Sequence, residues 1–246
     1  HTTSPATLNV FVPGIGEAYR KLVDAVRPHG MKLFQQLWHG GHNALPLDGS
    51  PPWSASDVPS PTIGVTPVPM TQAMIDEIIA AYASTARQCE EWGLDGVEIH
   101  CAHGYLLHEF LSPLANQRTD RYGGALESRM RFPLEVFDAV RAALPAALPV
   151  GVRFSATDWV DGGWDVEQSI AFSKALEARG CSFLHVSSAG VSPLQKIPLG
   201  PGYQVSLAAE IRRTVKVPVI AVGLVTTPEH AEAIIAEGHA DLVALG

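Results

Sequence analysis

The sequence is short of positive charge, of cysteine and of long apolar runs, and each shortage removes a class of protein. Its 17 Lys and Arg stand against 25 Asp and Glu, a formal charge of -8. That leaves no broad basic surface for nucleic acid, although a local basic pocket for a small phosphate stays compatible with it. Three cysteines occur, Cys89, Cys101 and Cys181, with no C-x-x-C pair. Neither a disulfide framework nor a zinc site is implied, and a reducing, cytoplasmic setting fits best. No run of about 18 apolar residues and no basic-then-apolar leader pattern is present, so nothing reads as spanning or targeting a membrane. Two short signatures are also missing: G-x-G-x-x-G after the first strand-like run, and the helical zinc motif H-E-x-x-H.

What is present is the composition of a soluble globular chain. Of 246 residues 46% are hydrophobic and 17% charged, enough to bury a large core. Six apolar, β-branched runs read as strands: 31–39, 95–100, 148–156, 182–188, 217–223 and 240–246. Their near-continuous hydrophobicity is that of parallel strands covered on both faces. Amphipathic segments lie between them, at 72–93, 135–144, 166–180, 206–215 and 227–238, several closing on a glycine suited to a helix C-cap. Thr227 before Pro228 and Glu229 reads as an N-cap with proline at the first helical position.

Repeated β-α units of this kind build either an open doubly wound sheet or an eight-stranded β/α barrel. Polar or glycine residues end nearly every run: Gln36 and His39, His100 and His103, Arg153 and Ser155, Ser187 and Ser188, Gly223, Gly246. A closed sheet would gather them at one C-terminal rim, where barrel enzymes place their active sites, so the barrel is the expected α/β fold. Six units are two short of eight. The expectation is a single partial barrel domain over 1–246, with the third to eighth strands visible and both ends cut. The Pro-rich stretch at about 43–70 then becomes an excursion over the rim, long enough to suggest a functional loop.

The stretch VEIHCAHGYLLHEFLSP, residues 97 to 113, sets His100, His103 and Tyr105 in the pattern H-x-x-H-x-Y where a strand ends. On spacing alone the trio reads as packed, hydrogen-bonded side chains, as a metal site, or as donors to a developing oxyanion. Arg153 alone reads either as a structural ion pair or as a cation for a ligand. Gly223 and Gly246 read either as turn chemistry or as backbone approach to a phosphate.

Longer motifs carry a family resemblance. QLWHGG, GVEIHCAHGYLLHEFLSPLANQRTDRYGG with ESRMRF, GVRFSATD, PGYQVSLAAEIR and AVGLVTTPEHAEAIIAEGHADLVALG together resemble the Old Yellow Enzyme family of flavin-dependent ene-reductases. The last three are most similar to its bacterial, xenobiotic-reductase-like subgroup. The resemblance implies a (β/α)8 barrel holding one non-covalent FMN at its mouth, reduced by NADH or NADPH and reoxidised by an activated alkene such as an α,β-unsaturated carbonyl. It implies that His100 and His103 bind the substrate oxygen and that Tyr105 supplies the α-proton, for which a phenol is a usable source. It further implies that Gln36 bonds the pyrimidine side of the flavin, that Arg153 lies beside its N1, and that Gly223 and Gly246 approach the phosphate. The family's phosphate-binding arginine would follow Gly246 directly. Trp38 falls at a substrate-pocket position. His42 and Asn43 stand where bacterial relatives often carry Arg-Lys, a departure from the family pattern.

Other residues of the long motif read as structure. Arg118, Asp120, Arg129 and Arg131 are expected to pair with one another and with helix ends, Cys101 to fill space, and His108 likewise. Two rival readings accompany the ene-reductase: the barrel portion of a larger dienoyl-CoA reductase or amine dehydrogenase, and an inactive fragment whose unpaired strand edges favour association. The partner expected is a small molecule, with neither nucleic acid nor membrane, and a homo-oligomer is compatible with the sequence.

Overall fold

The computed structural model describes residues 8–245. Helix α1 (Ile15–Val26) buries Tyr19 and Val23, one turn apart, and Tyr19 stacks on Trp92 with ring centroids 5.1 Å apart. Strand β1 (Phe34–Leu37) follows and leads into a 3-10 turn at Gly41–Asn43. The expected excursion is organised around a small parallel pair, β2 (Trp53–Ser54) and β3 (Val68–Pro69).

Five further units succeed it. Helix α2 (Gln72–Glu91) is capped by Thr71, whose Oγ1 accepts from Met74 N at 3.3 Å. Strand β4 (Gly96–Cys101) is followed by the short α3 (Leu106–Leu111) and the long α4 (Leu126–Ala143). Then come β5 (Val150–Ser155), α5 (Val166–Glu177), β6 (Phe183–Ser187), α6 (Val205–Arg212), β7 (Val219–Ala221), α7 (Pro228–Ala236) and β8 (Leu242–Val243). Thr227 caps α7, accepting from His230 N at 3.2 Å. Gly93, Gly180 and Gly238 follow α2, α5 and α7 with φ of 88°, 84° and 73°, the left-handed geometry that a C-cap glycine supplies without strain.

The six longer-range strands form one parallel sheet in the order β1-β4-β5-β6-β7-β8, each lying beside its successor in the chain. This is the winding of a β/α barrel, with β1 and β8 at the two edges of the described sheet. Five fall inside the sequence-expected runs and are shorter, while β4 matches its run in length and extends one residue past it, to Cys101.

The two faces differ, which the near-continuous hydrophobicity did not foretell. Val97, Ile99, Val150, Val152, Phe154, Leu184 and Val186 are buried on the outer face, where Phe154 meets Phe172 of α5 edge-on at 5.9 Å. Each such burial stabilises by roughly 1.5–3 kcal/mol. The concave face alternates with it and is polar above a floor of two rings. Phe34 and Phe183 meet at 5.7 Å over Gly96 and Gly151, and a Cβ at either glycine would come within 2.3 Å of a phenyl carbon. Above this floor stand Gln36, Glu98, Arg153 and His185, and above those His100, Ser155 and Ser187.

Two helices depart from expectation. α4 begins at Leu126 rather than near 135, running through Pro133. Proline normally marks a boundary. Here Phe132, fully buried and 4.5 Å from Phe110, holds the preceding turns in place. α3 carries no polar face, because all six of its residues are buried, so no helical period marks it. Among the described residues no helix is long and apolar enough to cross a membrane.

Candidate active site

At the C-terminal ends of β1, β4 and β5 lies a cleft of about 580 Å³. Its walls include Gln36, Trp38, His100, His103, Tyr105 and Arg153, six positions singled out by sequence from three separate strands. The rings of His100 and His103 are 5.2 Å apart, His100 and Tyr105 5.4 Å, and Trp38 meets Tyr105 edge-on at 5.0 Å.

The turn that presents His103 is held from several sides. His103 has φ 60° and Gly104 φ 73°. The left-handed region is sparsely used by side-chain-bearing residues and costs of order 1 kcal/mol or more. His103 N donates to Ser155 Oγ at 3.0 Å, and Ser155 Oγ donates to Ala189 O at 2.8 Å. Gly190 packs so closely that a Cβ there would lie 2.2 Å from the His103 carbonyl carbon. Gly104 N donates to His108 Nδ1 at 2.9 Å, so the His108 proton sits on Nε2, 3.0 Å from Asp158 Oδ1. Burial alone would raise the Asp158 pKa, but His108, Ser112 and the Trp164 N–H hold it below the usual carboxylate range. His108 therefore anchors the turn from beneath.

Burial dominates the electrostatics of the two cleft histidines. It lowers His100 to about 2, helped by the nearby charges of His103 and Arg153. It lowers His103 to about 3, again with Arg153. Both are neutral at ordinary pH, each able to donate one N–H and neither able to act as a cationic acid. His103 Nε2 lies 2.7 Å from Ser187 Oγ. Ser188 donates to Gln204 Oε1 at 2.6 Å, and Ser187 Oγ stands 3.3 Å from that oxygen; with the Ser187 hydroxyl turned to the nearer His103 Nε2, the one His103 proton sits on Nδ1.

Arg153 is a half-buried cation whose Nε has no partner among the described residues. Its pKa is lowered by burial and supported by Glu98. A buried guanidinium N–H left unpaired is costly, while the side chain as a whole lines the cleft. Gly223, with φ 130°, closes β7 outside the cleft wall and receives Gly202 N on its carbonyl at 2.7 Å. Gln204, which packs against Gly223 and donates to Val222 O at 3.3 Å, stands between this strand end and Ser187. Gly246 lies outside the described residues.

Among the arginines of the long motif, Arg118 pairs with Asp120, as expected. Its Nη1 also donates to Ala55 O and Met70 O at 2.9 and 2.8 Å, clamping the excursion. Arg129 reaches a helix end, as expected, donating to the carbonyl of Leu111, the last residue of α3, and also to Gly124 O and Gln168 Oε1, whereas Arg131 donates to Arg121 O. His42 and Asn43 hold the excursion too: His42 Nδ1 donates to Val58 O at 3.1 Å, and Asn43 Nδ2 to Gly104 O at 2.7 Å. Glu109 of α3 is fully buried against this turn and accepts from His42 N at 2.9 Å. Burial pushes its carboxyl well above the usual range.

Two polar groups of the concave face escaped sequence reasoning. Glu98 Oε1 accepts from Gln36 Nε2 at 2.6 Å, and Glu98 Oε2 lies 2.9 Å from His185 Nδ1. The signal for both was a charged or ionisable residue inside an otherwise apolar strand, GVEIH and FLHVS.

Fold and cleft define a β/α barrel with a polar site at its C-terminal mouth. The chain belongs to the NADH:flavin oxidoreductase / NADH oxidase family, whose pattern matches residues 5–246. It is 42% identical over 233 residues to an NADH oxidase of Thermoanaerobacter brockii, covering 92% of this chain and 36% of that protein. It is also 42% identical over 229 residues to an NADPH dehydrogenase of Geobacillus sp. (strain WCH70), covering 93% of this chain and 66% of the relative. Among solved structures, a 2-naphthoyl-CoA reductase in complex with 2-naphthoyl-CoA superposes with TM-score 0.89 at 27% identity, over 96% of this chain and 39% of that one. Morphinone reductase in complex with tetrahydroNAD gives TM-score 0.80 at 27% identity, over 98% and 68%. The chain thus spans about one third to two thirds of these relatives' lengths.

Proposed function

We propose that this chain forms the catalytic barrel of an FMN-dependent oxidoreductase that takes reducing equivalents from NADH or NADPH and reduces an activated alkene, in the manner of an α,β-unsaturated carbonyl. The observation that carries the reading is the convergence of two neutral histidines, a tyrosine and an arginine on one cleft. The residues fit a flavin: Arg153 offers a fixed positive charge and Gln36 a polar edge on the same cleft. When bound, FMN supplies the hydride chemistry, which no side chain can provide.

The chain's own residues would do the rest. His100 and His103 each donate one N–H to the carbonyl oxygen of the alkene, where negative charge grows as the β-carbon is reduced. Being neutral before substrate arrives, they stabilise that charge as hydrogen-bond donors. The α-proton then falls to Tyr105, on the same ring cluster. Trp38, packed against Tyr105, narrows the space beside it. The nicotinamide and the alkene share the cleft and enter in turn, which gives ping-pong kinetics.

The test is an absorbance spectrum with and without added FMN, followed by titration with p-hydroxybenzaldehyde. Flavin bands and a long-wavelength charge-transfer band on adding the phenol are expected, with affinity for the phenol about tenfold weaker or worse in His100→Ala and His103→Ala. A colourless protein that takes up no FMN would instead support the reading as an inactive fragment.

A second reading has one observation in its favour: the barrel match occupies only 36% of the Thermoanaerobacter relative and 39% of the naphthoyl-CoA reductase. The same cleft would then serve within a longer flavoenzyme of the dienoyl-CoA reductase kind. Reading the coding DNA on either side of this segment decides between the two lengths.

A further inference from the structure

The orientation of the Gln36 side chain in the cleft is set by a charge behind it. Its Nε2 donates to Glu98 Oε1 at 2.6 Å, and the other Glu98 oxygen is taken by His185 Nδ1 at 2.9 Å. Both partners rise from the concave face of the sheet, Gln36 beside Glu98 in the β1–β4 register and His185 two strands away on β6. Burial opposes ionisation of Glu98, yet His185, Gln36 and Arg153 together hold its pKa below the ordinary value. An ionised carboxylate accepts hydrogen bonds and donates none, so Gln36 must turn its NH2 group toward Glu98. Its carbonyl oxygen is then the end left for the cleft, and among the described residues it has no hydrogen bond. Arg153, a cation supported by Glu98, lines the same cleft. The wall therefore offers an acceptor and a fixed positive charge.

We propose that Glu98, seated by His185, is a positioning residue that fixes the Gln36 amide with its oxygen toward the cleft, so that the site selects a ring edge carrying an N–H donor next to an acceptor. This rests on the flavin reading, since the imide edge of an isoalloxazine, N3–H flanked by carbonyl oxygens, has that pattern. It adds a specificity to the site: a flavin whose N3 carries a methyl group cannot donate. Glu98 touches no ligand; it acts through Gln36, and the support its charge also gives Arg153 falls on FMN and 3-methyl-FMN alike.

The experiment compares dissociation constants of FMN and 3-methyl-FMN in the wild-type chain, Glu98→Gln and His185→Asn, by flavin fluorescence. A Gln at 98 can present either end of its amide, which frees Gln36 to flip. The wild type is expected to prefer FMN by tenfold or more, the size expected when a buried acceptor loses its donor. In Glu98→Gln that ratio is expected to narrow at least threefold, and in His185→Asn by less. Any steric effect of the methyl group is common to all three proteins and cancels in the comparison. An unchanged ratio in both variants overturns the proposal, and the His185 variant carries the test should Glu98→Gln fail to fold.

A second measurement needs no flavin. The Gln36 side-chain amide, assigned by its loss in Gln36→Glu, is expected to show slowed proton exchange by NMR in the wild type and fast exchange in Glu98→Gln. Equal exchange in the two overturns the positioning role. A wild type that binds neither flavin while Gln36 remains protected would sink the flavin reading and leave the positioning role standing.

Discussion

His100 and His103 are neutral because the protein walls replace the water that would solvate an imidazolium, and because Arg153 already places a positive charge nearby. Ring 15N chemical shifts across pH 4 to 8 should therefore show no protonation of either residue. A midpoint near the ordinary value of about 6.5 would contradict the geometry. The linkage has a definite sign. The folded pKa lies below the unfolded one, so the unfolded chain binds more protons at mildly acidic pH. Each of these histidines then subtracts up to about 1.4 kcal/mol of stability per pH unit once pH falls through about 6.5 toward the folded values of about 2 and 3. At this scale the sequence was informative for a simple reason. H-x-x-H-x-Y and the Gln36, Trp38 and Arg153 positions all end strands, and strand ends converge in a barrel. Glu98 and His185 were illegible because their meaning lies in partners 62 and 87 residues away, which no local pattern encodes.

At the scale of elements, α3 is the one through which the excursion reaches the site. Tyr105 precedes it, Glu109 lies within it, and Glu109 meets the Gly41–Asn43 turn, where Gly41 at φ 56° leaves no room for a Cβ beside the carboxyl. Glu109 has its pKa raised by burial, so its contribution is fully present below about pH 4.3, the unfolded value, and is lost as pH rises toward the folded one. Glu109→Gln keeps the shape and cannot ionise. Its unfolding free energy relative to wild type should climb with pH by up to about 1.4 kcal/mol per unit between pH 5 and 8, as read from urea curves. A difference that stays flat over that range would mean the carboxyl is not held neutral. α3 could not be read from sequence because burial on all sides erases the amphipathic signal. α4 was started too late because Pro133 reads as a boundary until Phe132 is seen packed on Phe110. Thr227 and the glycines at 93, 180 and 238 were legible, since their capping chemistry is local.

For the whole molecule, the order of strands was legible because each β-α unit hands the chain to the next position in the sheet. What the sequence concealed was that the two faces of that sheet carry different duties. The alternation along β4 is the plainest case: Val97, Ile99 and Cys101 point to the buried outer layer, Glu98 and His100 to the cleft side. A library of all single substitutions, scored in parallel for cellular abundance and for turnover, should separate these two sets with a period of two residues. Polar replacements at 97, 99 and 101 should remove the protein itself. At 98 and 100 they should leave its amount largely intact while turnover collapses. Selection could then reshape the chemistry of the cleft along every second residue of a strand, with the intervening residues keeping the scaffold standing.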